Sequence, residues 1–178
     1  MLEDRAWRRR GDTGKRIRLS RIFDPHSARA LVVPMDHSVT IGPLGKADHA
    51  DRTAAMLASA GADAIVVSNH GGRQLDGAPS SIAALPHIAE AVGKNIEVWM
   101  DGGIRSGQDV LKARALGAQG TLIGRSFLYG LGAFGEAGVT RALQIIQKEL
   151  DITMAFCGHT NIQNVDQRIL LPGTYPVA

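Results

Sequence analysis

A histidine and an arginine stand three residues apart in the segment Ser68–Asp76, which reads S-N-H-G-G-R-Q-L-D. Histidine is the side chain that titrates nearest to neutral pH, so His70 is a candidate proton acceptor. Arg73 can hold a carboxylate through two parallel hydrogen bonds, and the two intervening glycines allow a tight backbone path. Because the segment follows an apolar run of strand length, we predict a site for a carboxylate-bearing substrate. The alternative is a loop histidine beside a surface arginine.

Two later segments place an arginine shortly after glycine, where a strand passes into a helix. Asp101–Gly107 reads D-G-G-I-R-S-G, and Ile123–Ser126 reads I-G-R-S. Such turns expose backbone N–H groups at the positive end of a helix dipole, and Arg105 and Arg125 add charge-assisted hydrogen bonds. A single turn of this kind is common in loops, but two in succession predict a phosphate site.

The elements that position these segments alternate along the chain. The predicted strands are Leu31–Met35, Ala64–Val67, Val98–Met100 and Thr121–Ile123. The predicted helices are Ala50–Ala60, Pro86–Val92, Gly107–Leu116 and Glu136–Leu150. Repeated strand–helix units predict an α/β fold with a parallel sheet. In such sheets ligands bind at the carboxyl ends of the strands, which is where the three segments fall.

No G-x-G-x-x-G pattern follows the first strand, so the alternation favours a (β/α) barrel over a dinucleotide-binding sheet. A complete barrel has eight strands in about 250 residues, and this chain supplies about four parallel strands. We therefore predict a partial, half TIM barrel in which Ala64–Val67 is covered on both faces. Pro86 is predicted to open its helix. The apolar stripe of the last helix is predicted to comprise Val139, Leu143, Ile146 and Leu150.

Composition describes a globular chain of one domain, since 44% of the 178 residues are hydrophobic and 21% are charged. Basic residues concentrate near the start, and we predict a flexible tail over residues 1–20 followed by a single domain over residues 21–178. The tail has no series of aromatic residues on which successive bases could stack, so no nucleic-acid partner is expected. No apolar run suits a signal peptide or a membrane span. The single Cys157 fits a reducing cytoplasm.

From about Gly61 onward the motifs resemble one family. They are S-N-H-G-G-R-Q-L-D, D-G-G-I-R-S-G-Q-D-V-L-K-A, A-L-G-A-x-G-T-x-I-G-R, F-L-Y-G-L and E-L-D-I-T-M-A-F-C-G. Together they resemble the C-terminal half of the FMN-dependent α-hydroxy-acid oxidases and dehydrogenases, which include glycolate oxidase, flavin lactate dehydrogenase and mandelate dehydrogenase. The resemblance implies an FMN cofactor and oxidation of a small 2-hydroxy acid to its 2-oxo acid.

The resemblance also implies roles for individual residues. His70 would be the active-site base, Arg73 would hold the substrate carboxylate, and Ser68 would approach the flavin. The ribityl-phosphate of FMN would be held by Asp101, Gly102, Gly103, Arg105, Gly124 and Arg125. Lys46 stands 24 positions before His70, the spacing of a flavin-contacting lysine in the family, and the alternative for Lys46 is an ordinary surface lysine.

Part of the family's site has no counterpart here. The tyrosines that line the substrate pocket and the aspartate that orients the histidine belong to the first half of the barrel. Tyr129 and Tyr175 match neither position. We therefore expect any oxidation to be slower than in complete family members.

The N-terminal part resembles a different family. Lys15–Asp24 (K-R-I-R-L-S-R-I-F-D) and Leu31–Pro43 (L-V-V-P-M-D-H-S-V-T-I-G-P) resemble the opening of DeoC/LacD-type class I fructose-bisphosphate aldolases, over residues 21–60. Asp36 would match an active-site aspartate of that family, but flavoenzyme-like sequence stands where its Schiff-base lysine would lie. Two alternatives to a flavoenzyme therefore stay open, an aldolase-like lyase and a non-catalytic half-barrel that binds a phosphorylated ligand. Because the Schiff-base lysine is absent, we predict that Asp36 and His37 are relics or structural residues.

A half-barrel would also leave sheet edges open, together with an interior face that we predict to be rich in Val, Ile and Met. Two copies could join these edges to complete one barrel, so we predict a homodimer. The alternative is a monomer whose N-terminal segment and residues Ile162–Ala178 cover the face.

Overall fold

The computed structural model describes residues 50–175, and they form strand–helix units around one parallel sheet. The strands are β1 (Ala64–Val67), β2 (Glu97–Met100) and β3 (Gly120–Thr121). The helices are α1 (Ala50–Ser59), α2 (Ser81–Val92), α3 (Gly107–Ala115) and α4 (Arg125–Phe156). The strands lie in the order β1-β2-β3, and both pairs are parallel. The prediction of an α/β fold with a parallel sheet is confirmed, while the predicted strand Leu31–Met35 lies outside the described residues.

Helices cover one face of the sheet. Ile65 pairs with Val98 and Val67 with Met100 across β1 and β2, and all four side chains are at least 93% buried. In α2 the buried apolar side chains are Leu85, Ile88 and Val92. Burial of such side chains stabilises the fold by roughly 1.5–3 kcal/mol each, so this layer holds the strands at fixed positions for the loops that follow them.

The opposite face of the sheet is open, which contradicts the prediction that Ala64–Val67 is covered on both sides. Ala64 is exposed and Val66 is 42% exposed. The expected richness of this face in Val, Ile and Met is also wrong, because those residues of β1 and β2 mostly face the helices. Beside Val66 lies Trp99, whose indole N–H donates to Glu97 Oε2 (2.9 Å). A Cβ added to Gly120 would stand 3.2 Å from the Trp99 ring, so glycine leaves room for the indole.

Helix α2 begins five residues earlier than predicted, and Pro86 lies inside it. Ser80 has an extended backbone (φ −69°, ψ 147°), and the helix starts at Ser81. A proline here cannot donate to the carbonyl four residues earlier, a loss of about 3 kcal/mol. The buried side chains of Leu85, Pro86 and Ile88 offset that loss, which is why the helix continues through the proline.

Helix α4 contains a sharp break. Phe134 (φ −142°, ψ 20°) and Gly135 (φ 59°, ψ −138°) depart from helical geometry and separate an arm over residues 125–133 from an arm over residues 136–156. The two arms meet where Gly130 and Gly138 touch, since a Cβ on Gly138 would overlap the Gly130 carbonyl. The predicted helix Glu136–Leu150 therefore lies within the second arm. Its predicted stripe is wrong at Leu143, whose side chain is 52% exposed.

Two 3₁₀ turns, Ile162–Asn164 and Gln167–Ile169, close the described chain against α3. Buried Val165 packs on Leu111 and Ala115, and Arg114 donates to the carbonyl of Ile162 (3.1 Å).

The second of these turns carries an exposed ion pair. Arg168 donates to both carboxylate oxygens of Asp166, and these hydrogen bonds lower the pKa of Asp166 to about 2.

No helix of the described chain has the length and apolar content that a membrane crossing requires.

Candidate functional site

Three loops follow the carboxyl ends of the three strands and lie at one edge of the sheet. We name them the histidine turn (residues 68–73, after β1), the glycine turn (residues 101–105, after β2) and the arginine turn (residues 122–126, after β3). Parallel strands bring their carboxyl ends together. Backbone bonds continue the pairing into the loops, since the Asp101 N–H donates to the Val67 carbonyl (3.0 Å) and the Leu122 N–H to the Met100 carbonyl (2.9 Å).

The histidine turn is a short 3₁₀ turn with an unusual backbone. His70 has φ +56°, the only positive φ of a non-glycine residue in the described part of the chain. That conformation is uncommon for side-chain-bearing residues and costs on the order of 1–3 kcal/mol. The His70 N–H donates to Ser68 Oγ (3.2 Å), and both His70 and Arg73 are exposed. The turn therefore places both residues at the carboxyl edge of the sheet, where they are exposed.

The glycine turn contains a buried acceptor. Asp101 Oδ1 is inaccessible to solvent and has no hydrogen-bond partner in the part of the chain that the structure describes. Burying a polar atom without a partner is unfavourable, so this oxygen is a candidate acceptor for a hydrogen bond from a ligand hydroxyl. Gly103 (φ +83°) is exposed and has open space where a Cβ would point. The open space of this turn therefore lies at Gly103, two residues after the carboxylate that could accept a ligand hydroxyl.

The amino terminus of α3, which the sequence predicted as a phosphate seat, is already capped by side chains of the protein. Ser106 and Asp109 form a capping box there, with the Asp109 carboxylate accepting from the N–H of Arg105 (3.0 Å) and of Ser106 (2.9 Å). The Gly107 N–H donates to Glu149 Oε2 on α4 (3.0 Å). Two carboxylates therefore already occupy the positive end of this helix, and they would repel a phosphate.

The amino terminus of α4 is different. Its N-cap is Gly124, which has no side chain to accept from the first-turn N–H groups. Those groups need an outside acceptor, and an anion satisfies them well. The exposed Arg125 guanidinium stands at the same point and donates through Nη2 to the Gly71 carbonyl (3.0 Å). The arginine turn is thus a better phosphate seat than the start of α3.

Each of the three turns is in contact with the other two. Arg125 joins the arginine turn to the histidine turn, and Ser126 Oγ donates to the Ile104 carbonyl (3.4 Å) to join it to the glycine turn. The histidine and glycine turns meet through Gly102, where an added Cβ would stand 3.0 Å from Asn69 Oδ1. The predicted site residues of the three turns therefore form one cluster.

The charge of this edge is positive. Arg73, Arg105 and Arg125 are all exposed, and the one ion pair of residues 50–175 joins Arg168 to Asp166. Open guanidinium groups, uncapped N–H groups and a buried carboxylate oxygen match the phosphate and hydroxyl groups of FMN. The residues present therefore fit that cofactor. Within the same residues no three His, Cys, Asp or Glu side chains come together as metal ligands.

Two contributors to the site escaped the sequence analysis, and one predicted residue cannot be placed. Asn69 and Ser81 join the histidine turn to α2 by a hydrogen bond across 12 residues. A serine at the start of a helix is ordinary in sequence, so only the fold reveals this contact. Lys46 lies outside the described residues.

Comparison with known proteins identifies the family. The model of the FMN-dependent dehydrogenase family matches residues 48–172, a stretch that begins upstream of Gly61. The L-lactate dehydrogenase of Caulobacter vibrioides is 53% identical over 132 residues, which are 72% of this chain and 34% of that protein. The L-lactate oxidase of a Nostoc species is 53% identical over 117 residues, 66% of this chain and 32% of the oxidase.

Solved structures agree with these relatives. Mandelate oxidase with benzoyl-formic acid superimposes with a TM-score of 0.63 at 45% identity, covering 66% of this chain and 35% of the oxidase. A mandelate oxidase variant with a monooxide FMN adduct gives the same TM-score and identity. This chain spans about a third of the length of the relatives it matches. Since the family's pattern runs through most of the sequence and includes all three turns, the chain belongs to the FMN-dependent dehydrogenase family.

Proposed function

We propose that this chain binds FMN at the carboxyl edge of its sheet and acts there on a small 2-hydroxy acid of the lactate, glycolate or mandelate type, which it oxidises to the 2-oxo acid. The observation that carries the proposal is the contact of each turn with the other two, which brings the turn that contains His70 and Arg73 beside Arg125. Relatives named L-lactate dehydrogenase, L-lactate oxidase and mandelate oxidase support the substrate class.

Arg73 and His70 have different roles in this reaction. Arg73 fixes the substrate carboxylate with its planar fork, which sets the α-carbon at a defined place on the edge. His70 takes a proton from the substrate at an imidazole nitrogen. When bound, FMN supplies the two-electron acceptor that no protein side chain provides. Ser68 lies between β1 and His70 and is assigned to the flavin-facing side of the turn.

The cofactor would be held by the other two turns. Asp101 would accept a hydrogen bond from a ribityl hydroxyl, Gly103 would leave open space on that side, and Gly102 would hold the turn close to Asn69 and Ser81. Arg105, Gly124 and Arg125 hold the phosphate, with the first-turn N–H groups of α4 completing the seat. Lys46 as a further flavin contact stays a prediction.

The experiment is a titration of the purified chain with FMN, followed by anaerobic addition of L-lactate or mandelate. We expect a stoichiometric shift of the flavin absorption bands on binding and slow bleaching on addition of the acid, because the edge supplies both base and carboxylate anchor. Riboflavin, which has no phosphate, is the matched control and is expected to bind more weakly.

A chain that leaves the FMN spectrum unchanged at millimolar concentration would contradict the proposal. Binding of FMN without bleaching by the hydroxy acid would support the alternative of a non-catalytic half-barrel that binds a phosphorylated ligand. An enzyme-linked imine trapped by borohydride with a carbonyl substrate would instead support the aldolase-like alternative.

We further propose that the described sheet is part of a half TIM barrel over residues 21–178, and that two copies complete one barrel. The open face with Val66 and Trp99 needs a covering layer. Within the described sheet, β1 and β3 each have a single neighbour, so their outer edges can pair. Apolar side chains are also exposed on α4, at Leu128 in the first arm (51% exposed) and at Phe134 at the break (78% exposed).

Sedimentation at micromolar concentration is expected to give twice the 18.9 kDa mass of one chain. Val66→Lys should shift the protein to monomer, because it places a charge on the open face. Leu171→Lys, at a site 76% exposed in the C-terminal segment, is the control and should leave the mass unchanged. A monomer that unfolds cooperatively and binds no hydrophobic dye would show that the chain covers its own face.

A cytoplasmic location is proposed on the single exposed Cys157.

A further inference from the structure

Ser81 is the only polar residue that is buried in the described part of the chain. It is the first residue of α2, and only 3% of it is exposed. Its hydroxyl oxygen accepts the backbone N–H of Asn69 (3.1 Å). Asn69 is the residue directly before His70, so a side chain of α2 holds the backbone at the point where the histidine turn begins.

The glycine turn closes on the same hydroxyl. A Cβ added to Gly102 would stand 2.8 Å from Ser81 Oγ and 3.0 Å from Asn69 Oδ1. Gly102 also has φ +84°, a conformation that side-chain-bearing residues rarely adopt. Ser81 is therefore in contact with both turns at once, the one that carries His70 and the one that carries Asp101.

The neighbouring backbone explains why such a contact is needed. His70 is held at φ +56°, and a residue persists in that region only when its surroundings fix it. The local bond from the His70 N–H to Ser68 Oγ lies within the same turn and cannot set the turn's place relative to the rest of the site. The contact with Ser81 sets the place of the turn relative to the rest of the site, because α2 is anchored in the core by Leu85.

We propose that Ser81 is a positioning residue, which sets the His70 imidazole relative to the glycine turn where FMN would bind. The inference rests on the proposed function for its consequence, but the geometry it describes is independent of any ligand. Loss of the hydroxyl would free the Asn69 N–H and let the histidine turn move away from the glycine turn.

The test compares Ser81→Ala with Ser81→Thr and Ser80→Ala. Threonine keeps the acceptor and adds a buried methyl group, so it lowers stability without removing the bond. Ser80 is the matched control, since it is exposed and its side chain makes no capping hydrogen bond. The readouts are the ring ¹H–¹³C signals of His70, assigned by their loss in His70→Asn, together with FMN affinity and unfolding by urea.

We expect Ser81→Ala to move or broaden the His70 ring signals and to weaken FMN binding about tenfold, the scale of one buried hydrogen bond. Ser81→Thr and Ser80→Ala should keep the wild-type ring signals and FMN affinity, even where Ser81→Thr unfolds at lower urea. Two results would overturn the proposal by reducing Ser81 to a structural role. One is a change in the ring signals that correlates with the loss of stability in urea across the three variants. The other is a folded Ser81→Ala variant whose ring signals are unchanged.

Gly102→Ala keeps the proposal testable if Ser81→Ala does not fold. It crowds the same hydroxyl from the other side and should move the His70 signals, whereas Gly103→Ala, which meets no atom within 4 Å, should not. Equal signals in the two glycine variants would overturn the proposal. Failure of the wild-type chain to bind FMN would contradict the proposed function alone, because the ring signals are read without the cofactor.

Discussion

Replacing His70 by asparagine is expected to slow the reduction of bound FMN by L-lactate about 10²- to 10⁴-fold while leaving FMN affinity within twofold. That range is the usual contribution of a positioned general base. Asparagine cannot take the proton, but it tolerates the left-handed backbone (φ +56°) better than alanine does. The variant therefore removes the base without adding backbone strain to the histidine turn.

Arg73→Lys extends the same prediction to the substrate carboxylate. Lysine keeps the charge but cannot form two parallel hydrogen bonds to one carboxylate. We expect the concentration of lactate needed for half-maximal reduction to rise at least tenfold, since the loss of one charge-assisted hydrogen bond costs roughly 1.5–3 kcal/mol. Single-turnover bleaching of the flavin absorption, followed anaerobically by stopped flow, measures both variants.

Controls of the same residue types separate these roles from general effects. His87 is an exposed histidine of α2, and Arg168 is an exposed arginine that pairs with Asp166. His87→Asn and Arg168→Lys should reduce FMN at the wild-type rate. Reduction by lactate that persists unchanged in both His70→Asn and Arg73→Lys would show that this edge is not the site of oxidation.

The sequence predicted the elements whose signals are local. Ala64–Val67 is a β-branched apolar run that ends before a loop, and β1 has those bounds. The start of α3 at Gly107 follows a serine N-cap with an aspartate three residues on, a pattern contained in four consecutive residues. The carboxyl-edge placement of the three turns then follows from parallel pairing alone, which is why their common edge could be predicted without coordinates.

Features that depend on distant partners could not be predicted in this way. Glu149, which accepts a hydrogen bond from the Gly107 N–H at the start of α3, is 42 residues away in the sequence. No residue near Gly107 indicates this contact. Whether a strand is covered on one face or two depends on which helices pack against it, so the exposure of Val66 was missed. The start of α2 was predicted at Pro86 for the same reason. The burial of Leu85 and Ile88 outweighs the hydrogen bond that the proline cannot donate, so the helix begins earlier.

The second large effect is expected at Arg125. Arg125→Ala should weaken FMN binding about 10- to 100-fold, corresponding to the roughly 1.5–3 kcal/mol of a charge-assisted hydrogen bond to phosphate. The same guanidinium also donates to the Gly71 carbonyl (3.0 Å), so the substitution removes a bond between the arginine and histidine turns as well. Fluorescence quenching of FMN on titration with the protein measures the affinity.

Riboflavin separates the two contributions of Arg125, because it shares the ring and the ribityl chain with FMN but has no phosphate. If the phosphate contact dominates, Arg125→Ala lowers FMN affinity by the full factor and riboflavin affinity by less than threefold. Arg125→Lys should then recover part of the FMN affinity, since a lysine ammonium still attracts phosphate as a point charge. Equal losses for the two flavins would mean that Arg125 acts through Gly71 alone, and the phosphate seat would have to be assigned to Arg105. Arg168→Ala removes an exposed arginine of the C-terminal segment and should change neither affinity, which makes it the reference for the effect of net charge on flavin binding.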